Sequence, residues 1–282
     1  MFAPGLLEGK KILITGGGSG LGKSFGARMA ELGAEIAICG RRAEVLEATA
    51  AEFRKASGAK VSTHICDVRD AASVEAMFDA IWQDGPLDGL INNAAGNFIA
   101  RTETLSPRAI DSVLNIVLHG TFYCTVAAGK RWIAEKRPGT VLSIVSAAAN
   151  AGRAFTVPSA SAKAGVLAMM KSLAVEWGPH GIRTAAVSPG LFPTKGAWEN
   201  LYPEGSKATP EEMEVPLRRV GDHSEISNLV AYLMSDMAAY INGECITIDG
   251  GRDLQNGGGA GVIGLFEWTP ERWEAFKSGK KS

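Results

Sequence analysis

The chain has 282 residues, of which 46% are hydrophobic and 21% charged, with a net charge of −1. That is enough for one sizeable core and, in an α/β protein of this length, for a single domain, while so balanced a charge offers no field for nucleic acid or an anionic membrane. The four cysteines (Cys39, Cys66, Cys124, Cys245) show no CxxC spacing and the four histidines (His64, His119, His180, His223) no ligand spacing, so neither a metal nor a redox pair is expected.

The first apolar run, KILIT at 11–15, is a predicted strand. TGGGSGLG at 15–22 follows it and opens a predicted helix, LGKSFGARMAELG. Gly16, Gly18, Ser19, Gly20, Leu21 and Gly22 therefore sit where main-chain N–H groups and a helix N-terminus can receive a pyrophosphate. EIAIC at 35–39 is the second predicted strand and runs into CGRR. Arg41 stands nineteen residues beyond Gly22, where an acid would take the ribose 2′-hydroxyl of NAD. Arg41 and Arg42 offer charge-assisted hydrogen bonds to a 2′-phosphate instead, so NADP(H) is the expected cofactor.

VSTHI at 61–65 is the third strand, and Val74, Met77, Phe78 and Ile81 recur at helical spacing after Ser73. DGLIN (88–92), VLSIV (141–145), RTAAVS (183–188) and ECITI (244–248) complete seven runs, several apolar without alternation, as in parallel strands covered on both faces. The repeated strand–helix order predicts a doubly wound, mostly parallel sheet of Rossmann-like form with helices on both faces. Long helices are expected around 107–136 and 160–177. Residues 193–222, with four prolines and many charges, break the rhythm and read as a substrate lid. The tail at 255–282 begins in glycines and ends in a short helical pattern with Trp268 and Trp273. No unbroken apolar run reaches membrane-spanning length, the first strand begins too early for a targeting peptide, and a cytoplasmic location is expected.

TVPSASAKAG raises a question about chemistry. It carries Lys163 of a Tyr-x-x-x-Lys reductase pattern, but Ser159 stands in the tyrosine's place. The glycine pattern, CDV at 66–68, NNAAG at 92–96, Asn115, Ser146, Lys163 and SPG at 188–190 occur in the order of the short-chain dehydrogenase/reductase family, which the chain resembles over nearly its whole length. The resemblance implies that Asp67 and Val68 contact the adenine. It also implies that Asn93, Ala94 and Gly96 line the cofactor, that Pro189, Gly190 and Phe192 approach the nicotinamide, and that the chain forms a homotetramer.

NNAAGNF (92–98), VPSASAKAG (157–165), KSLAVEWG (171–178) and PTKGA (193–197) resemble the 2,4-dienoyl-CoA reductases, members that replace the usual tyrosine. This likeness implies that Asn97 polarises a thioester and that Arg69, Phe98, Ser106 and Ser159 contact an acyl-CoA substrate. A ketone reductase must protonate oxygen, for which a phenol suits. A dienoyl thioester takes hydride at the far end of its conjugated chain and needs donors for an oxyanion. Two positions depart from that pattern. Ala148 stands eleven residues before Ser159, where a tyrosine is expected, and Asn115 replaces an acid. Among the four tyrosines, Tyr202 in the lid is the best placed substitute for substrate binding. The alternatives are a 2-enoyl-CoA or enone/carbonyl reductase, and a catalytically silent NADP-binding protein of an assembly or sensor. Retention of the polar Lys163, Asn97 and Ser146 argues against silence.

Overall fold

The structure, a computed structural model, describes residues 2–194, 215–256 and 268–277. Tyr202, most of the expected lid and part of the tail lie outside these residues. Seven strands form one parallel sheet: β1 Lys11–Thr15, β2 Glu35–Gly40, β3 Val61–Ile65, β4 Gly89–Asn92, β5 Gly139–Ile144, β6 Ile182–Pro189 and β7 Cys245–Ile248. Their spatial order is β3-β2-β1-β4-β5-β6-β7. The order reverses between β1 and β4, which opens a crevice at the strands' C-terminal ends, the usual place for a ligand in such a sheet.

The expected strands are all present, β1 and β3 with the expected ends and the other five with ends shifted by one or two residues. Every residue of β1, β4 and β5 is buried, because helices cover both faces and leave no polar side to alternate with. On one face lie α1 Gly20–Glu31, α2 Ala43–Ser57 and α8 His223–Met234, contributing Phe25, Met29, Phe53, Ile226 and Val230 to the core. On the other lie α3 Ala71–Gln83, α5 Gly120–Glu135 and α7 Val157–Trp177, contributing Phe78, Trp132, Val166 and Met170. α3 buries Val74, Met77, Phe78 and Ile81, the four that set its spacing, and Asp70 caps it by accepting from Ala72 N–H. Short α4 Pro107–Leu114, α6 Ala148–Ala151, α9 Arg252–Asn256 and α10 Pro270–Lys277 complete the described helices.

α4 and α5 join through a π-helical turn at Asn115–His119, so Pro107–Glu135 is one helix of 29 residues, long and apolar enough to cross a membrane. This corrects the expectation drawn from unbroken runs. Small residues such as Ala127, Ala128 and Gly129 raise hydropathy between polar neighbours, and they are buried in the helix's packed face. In the tail, Trp268 packs on Trp273 and Phe276 at ring distances of 4.9 and 5.5 Å, with Arg272 over the Trp268 ring.

Candidate active site

The crevice begins where β1 runs out. Thr15 Oγ1 accepts from the N–H groups of both Asn93 and Ala94 at 3.0 Å, and Asn93 Nδ2 donates to Thr15 O at 3.0 Å. These bonds pin the NNAAG turn against the glycine loop. Gly16 is left-handed (φ 66°), and a methyl on Gly22 would stand 2.5 Å from Asn93 Nδ2, so neither position tolerates a side chain. Gly18 packs over α2, where Thr49 Oγ1 bonds its carbonyl at 2.9 Å. Ser19 is the N-cap of α1, yet its hydroxyl makes no capping bond. The first-turn N–H groups of Gly20, Leu21 and Gly22 are thus left to an anion, and this cradle fits a dinucleotide's pyrophosphate.

Arg41 and Arg42 follow β2 and are exposed, with no ion pair among the described residues. Asp67 follows β3. Arg69, expected at the acyl-CoA, pairs with it: Arg69 Nε lies 2.9 and 3.0 Å from the two Asp67 carboxylate oxygens. The guanidinium holds the Asp67 carboxyl below its ordinary value. Val68 is buried and its side chain would meet a methyl on Gly120, so the start of α5 packs closely on the residues that follow β3.

After β4, Asn97 Oδ1 accepts from the N–H of Phe98 at 2.9 Å. A main-chain N–H can only donate, so the amide orientation follows: Oδ1 is occupied and the Nδ2 group is a donor with no partner within the described chain. Ala100 N–H bonds Phe155 O at 2.9 Å, fastening this loop to the start of α7. Phe155 is left-handed at φ 62° and 57% exposed, and Ile99 and Val157 are exposed apolar neighbours in sequence.

Ser159 lies in the first turn of α7 and Lys163 one turn later on the same face. Lys163 is buried and donates to Ile144 O at the end of β5. An ammonium has three donors, and this one uses a single carbonyl of the chain, which fits the remaining two to a ribose. Burial lowers its pKa to about 8. Ser146, just past β5, is half-buried, and neither its hydroxyl nor that of Ser159 is hydrogen-bonded among the described residues. Gly96 packs against Ile116 of the π turn.

Three of the expected residues have other partners within the chain. Phe192 is committed to the core, with its ring against Gly221. Ser106 caps α4, accepting from Ala109 N–H at 3.2 Å. Asn115 turns its side chain to His119, with Oδ1 2.8 Å from Nδ1, and opens the π turn, whose wide winding is common at functional sites. Three residues in the crevice region were not anticipated. Thr15 and Thr194 border the glycine loop, and His223 bonds the Pro193 carbonyl at 2.9 Å. Thr15 had a signal, as the residue ending β1; His223 had none.

The family described as Enoyl-(Acyl carrier protein) reductase matches residues 16–253. A probable 2,4-dienoyl-CoA reductase [(2E)-enoyl-CoA-producing] of Bacillus subtilis is 46% identical, covering 88% of this chain and 98% of its own. Probable 2,4-dienoyl-CoA reductase 3 [(3E)-enoyl-CoA-producing] of Caenorhabditis elegans is 44% identical over 95% of this chain and 88% of its own. A solved short chain dehydrogenase from Bacillus anthracis, 44% identical, superposes with a TM-score of 0.78 over 86% of this chain and 96% of that one. A parallel sheet wound as β3-β2-β1-β4-β5-β6-β7, a glycine cradle at its first turn, a buried lysine beside its fifth strand and these relatives converge: the chain belongs to the short-chain dehydrogenase/reductase family of nicotinamide-dependent oxidoreductases.

Proposed function

We propose that the protein is an NADPH-dependent reductase of an unsaturated acyl-CoA thioester, most specifically a 2,4-dienoyl-CoA. One observation carries the reading. Lys163 is buried in the family's position, Ser159 stands where a phenol would serve carbonyl reduction, and Asn97 is fixed with its amide donor outward. The names of the Bacillus and Caenorhabditis relatives support the substrate class. Arg41, in place of an acid after β2, supports NADP(H) over NAD(H).

The reduced nicotinamide supplies hydride when bound. The chain's own groups do the rest. Asn97 Nδ2 donates to the thioester oxygen, with the Ser159 and Ser146 hydroxyls as further donors, so that the negative charge arriving from C5 of the diene is held as a dienolate. The Lys163 ammonium holds ribose hydroxyls and adds positive potential. A proton then returns to carbon: at C2 it leaves a 3-enoyl thioester, at C4 a 2-enoyl thioester. The two relatives' names differ in this respect, and the missing tyrosine (Ala148) and acid (Asn115) are the positions that would direct it.

We further propose a homotetramer. Phe122 and Val126, 41% and 46% exposed, lie one turn apart on α5, and Val175 on α7 is 80% exposed, apolar surface that burial between subunits would remove. Light scattering at micromolar concentration tests it, and a monomer would overturn it.

The function is tested by incubating the enzyme with 2,4-hexadienoyl-CoA and NADPH deuterated at the transferable position, then analysing product by NMR. Deuterium on C5 with the thioester intact is expected. Ketone reduction with no turnover of dienoyl-CoA would overturn the reading.

A further inference from the structure

His223 opens α8 directly after its N-cap, Asp222. Its ring makes two hydrogen bonds in opposite directions. Nδ1 is 2.7 Å from Ser24 Oγ, and Nε2 is 2.9 Å from the Pro193 carbonyl. A carbonyl only accepts, so Nε2 carries the proton; in the neutral ring Nδ1 is then the acceptor and the Ser24 hydroxyl its donor. Ser24 lies on α1, one turn beyond Gly20; its single hydroxyl hydrogen serves the shorter bond to Nδ1, and the carbonyl of Gly20 at 3.3 Å is its weaker alternative acceptor. Pro193 lies on the segment that continues β6 past Gly190 into the crevice. The next residue, Thr194, stands against the glycine loop, since a methyl on Gly20 would lie 3.5 Å from its Cγ2.

Thr194 therefore stands at the phosphate cradle, and the segment that carries it is tied to α1 through one imidazole. We propose that His223 is a positioning residue. It fixes the post-β6 segment, the outer wall of the dinucleotide crevice, onto the helix whose N-terminus receives the pyrophosphate. The inference rests on the nicotinamide-cofactor reading and goes beyond it by assigning a residue that touches neither cofactor nor substrate. The histidine is not needed to cap α8. The Asp222 carboxylate accepts from Ser224 N–H at 2.7 Å, and Asp222 N–H donates to Glu225 at 2.8 Å, both without the ring. Replacing it should thus leave the helix folded.

The two ends of the ring can be separated by substitution. Glutamine places its amide nitrogen near the ring's Nε2 and can keep the bond to Pro193 O. Asparagine reaches only as far as Nδ1 and can meet Ser24 but not Pro193. The test compares H223A, H223Q and H223N with wild type by hydrogen–deuterium exchange of the Leu191, Phe192 and Thr194 amides in cofactor-free protein, by fluorescence titration with NADPH and NADH, and by kcat and KM on the dienoyl-CoA. H223A should speed exchange at these amides about tenfold or more, weaken the preferred cofactor about five- to twentyfold, and leave α8 amides protected. H223Q should return both readouts to within about threefold of wild type and H223N should not. Rescue by asparagine equal to that by glutamine, or an alanine variant unchanged in exchange and in affinity, would overturn the assignment. If wild type binds neither nicotinamide dinucleotide, the cofactor reading fails and with it the cofactor role of His223, whereas the exchange data alone decide whether the ring clamps the segment.

Discussion

Lys163, in the second turn of α7, donates its ammonium to the main-chain carbonyl of Ile144 at the end of β5. The bond fixes α7 to the end of β5, two residues before Ser146. It also holds a charge that burial disfavours, since the side chain is nearly excluded from water and the ammonium's pKa falls from 10.5 to about 8.

Lys163→Met should separate the two roles. At pH 7 the folded state carries a burial penalty of ~3 kcal/mol for that shift, and methionine removes it. The Ile144 carbonyl then loses its partner, at about 1–3 kcal/mol. The variant should be as stable as wild type or more stable by about 1 kcal/mol, with turnover reduced at least ~100-fold. The pH dependence has a definite sign. The folded pKa lies below the unfolded one, so between pH 8 and 10.5 the unfolded chain binds the extra proton and wild-type stability rises with pH relative to the variant. Urea denaturation at pH 7 and pH 9.5 reads this. A variant advantage that grows with pH would refute it. Wild-type kcat/KM should in turn fall as pH passes about 8, when the free enzyme loses its ammonium.

Arg41→Asp should exchange the cofactor preference. Arg41 follows β2 at the ribose position with no ion pair among the described residues. The substitution should weaken NADPH by about 100-fold and improve NADH, as expected when a charge-assisted phosphate contact becomes a repulsion. Titration of wild type with both cofactors is the control, and equal wild-type affinities would sink the idea.

Asn97→Asp keeps an acceptor for Phe98 N–H, replaces the Nδ2 donor by an acceptor and adds a negative charge where the oxyanion would develop. The loop should stay in place. kcat on a dienoyl-CoA should drop about 100- to 1,000-fold, the usual loss for an oxyanion donor, with NADPH affinity unchanged. A parallel loss of cofactor binding would mean that Asn97 is structural.

These residues also show where sequence ends as a guide. The seven strands were readable because most are short apolar runs that a parallel sheet covers on both faces, and the edge strands β3 and β7 keep the same strand–helix rhythm. α3 was readable because its four buried residues keep helical spacing; its Asp70 cap came only with the structure. The glycine cradle and Lys163 were readable as spacings. The orientation of the Asn97 amide was not, because it depends on one N–H in a loop. The π turn at Asn115–His119 was not, because nothing in residue type marks the wider winding. The contacts of His223 bring together α1, the post-β6 segment and α8, and no local pattern encodes them. Phe192 and Ser106 had the right chain positions, but the fold gives one ring to the core and one hydroxyl to a helix cap.

Phe155→Gly should trade binding for stability. A left-handed non-glycine backbone costs ~1–2 kcal/mol, and glycine relieves it while adding about 0.5–1 kcal/mol of unfolded-state entropy. The ring is 57% exposed, so little packing is lost. A net gain near 0.5 kcal/mol is expected by urea denaturation. If Phe155, Ile99 and Val157 form the apolar lip of the acyl site, KM should rise several-fold for 2,4-decadienoyl-CoA and less for 2,4-hexadienoyl-CoA. An equal change for both would remove Phe155 from chain recognition.

Ser159→Tyr restores the family's usual acid in the first turn of α7, one turn from Lys163. If carbonyl reduction were the native reaction, a phenol with the lysine beside it should raise activity on ketones, because serine is a far weaker acid. Conjugate reduction has no such need. The oxygen stays an oxyanion held by Asn97 and the hydroxyls while carbon takes the proton, so a phenol adds no required step and its ring occupies space the acyl thioester must enter. The variant should therefore lose at least about tenfold in dienoyl-CoA turnover and gain no substantial ketone reductase activity. The measurement is steady-state NADPH oxidation with 2,4-hexadienoyl-CoA and with a panel of simple ketones, alongside cofactor affinity to show that the crevice is intact. A tyrosine variant that reduces dienoyl-CoA faster than wild type would show that protonation at this position limits the reaction, and Ser159 would then have to be read as a weakened acid rather than as part of an oxyanion site.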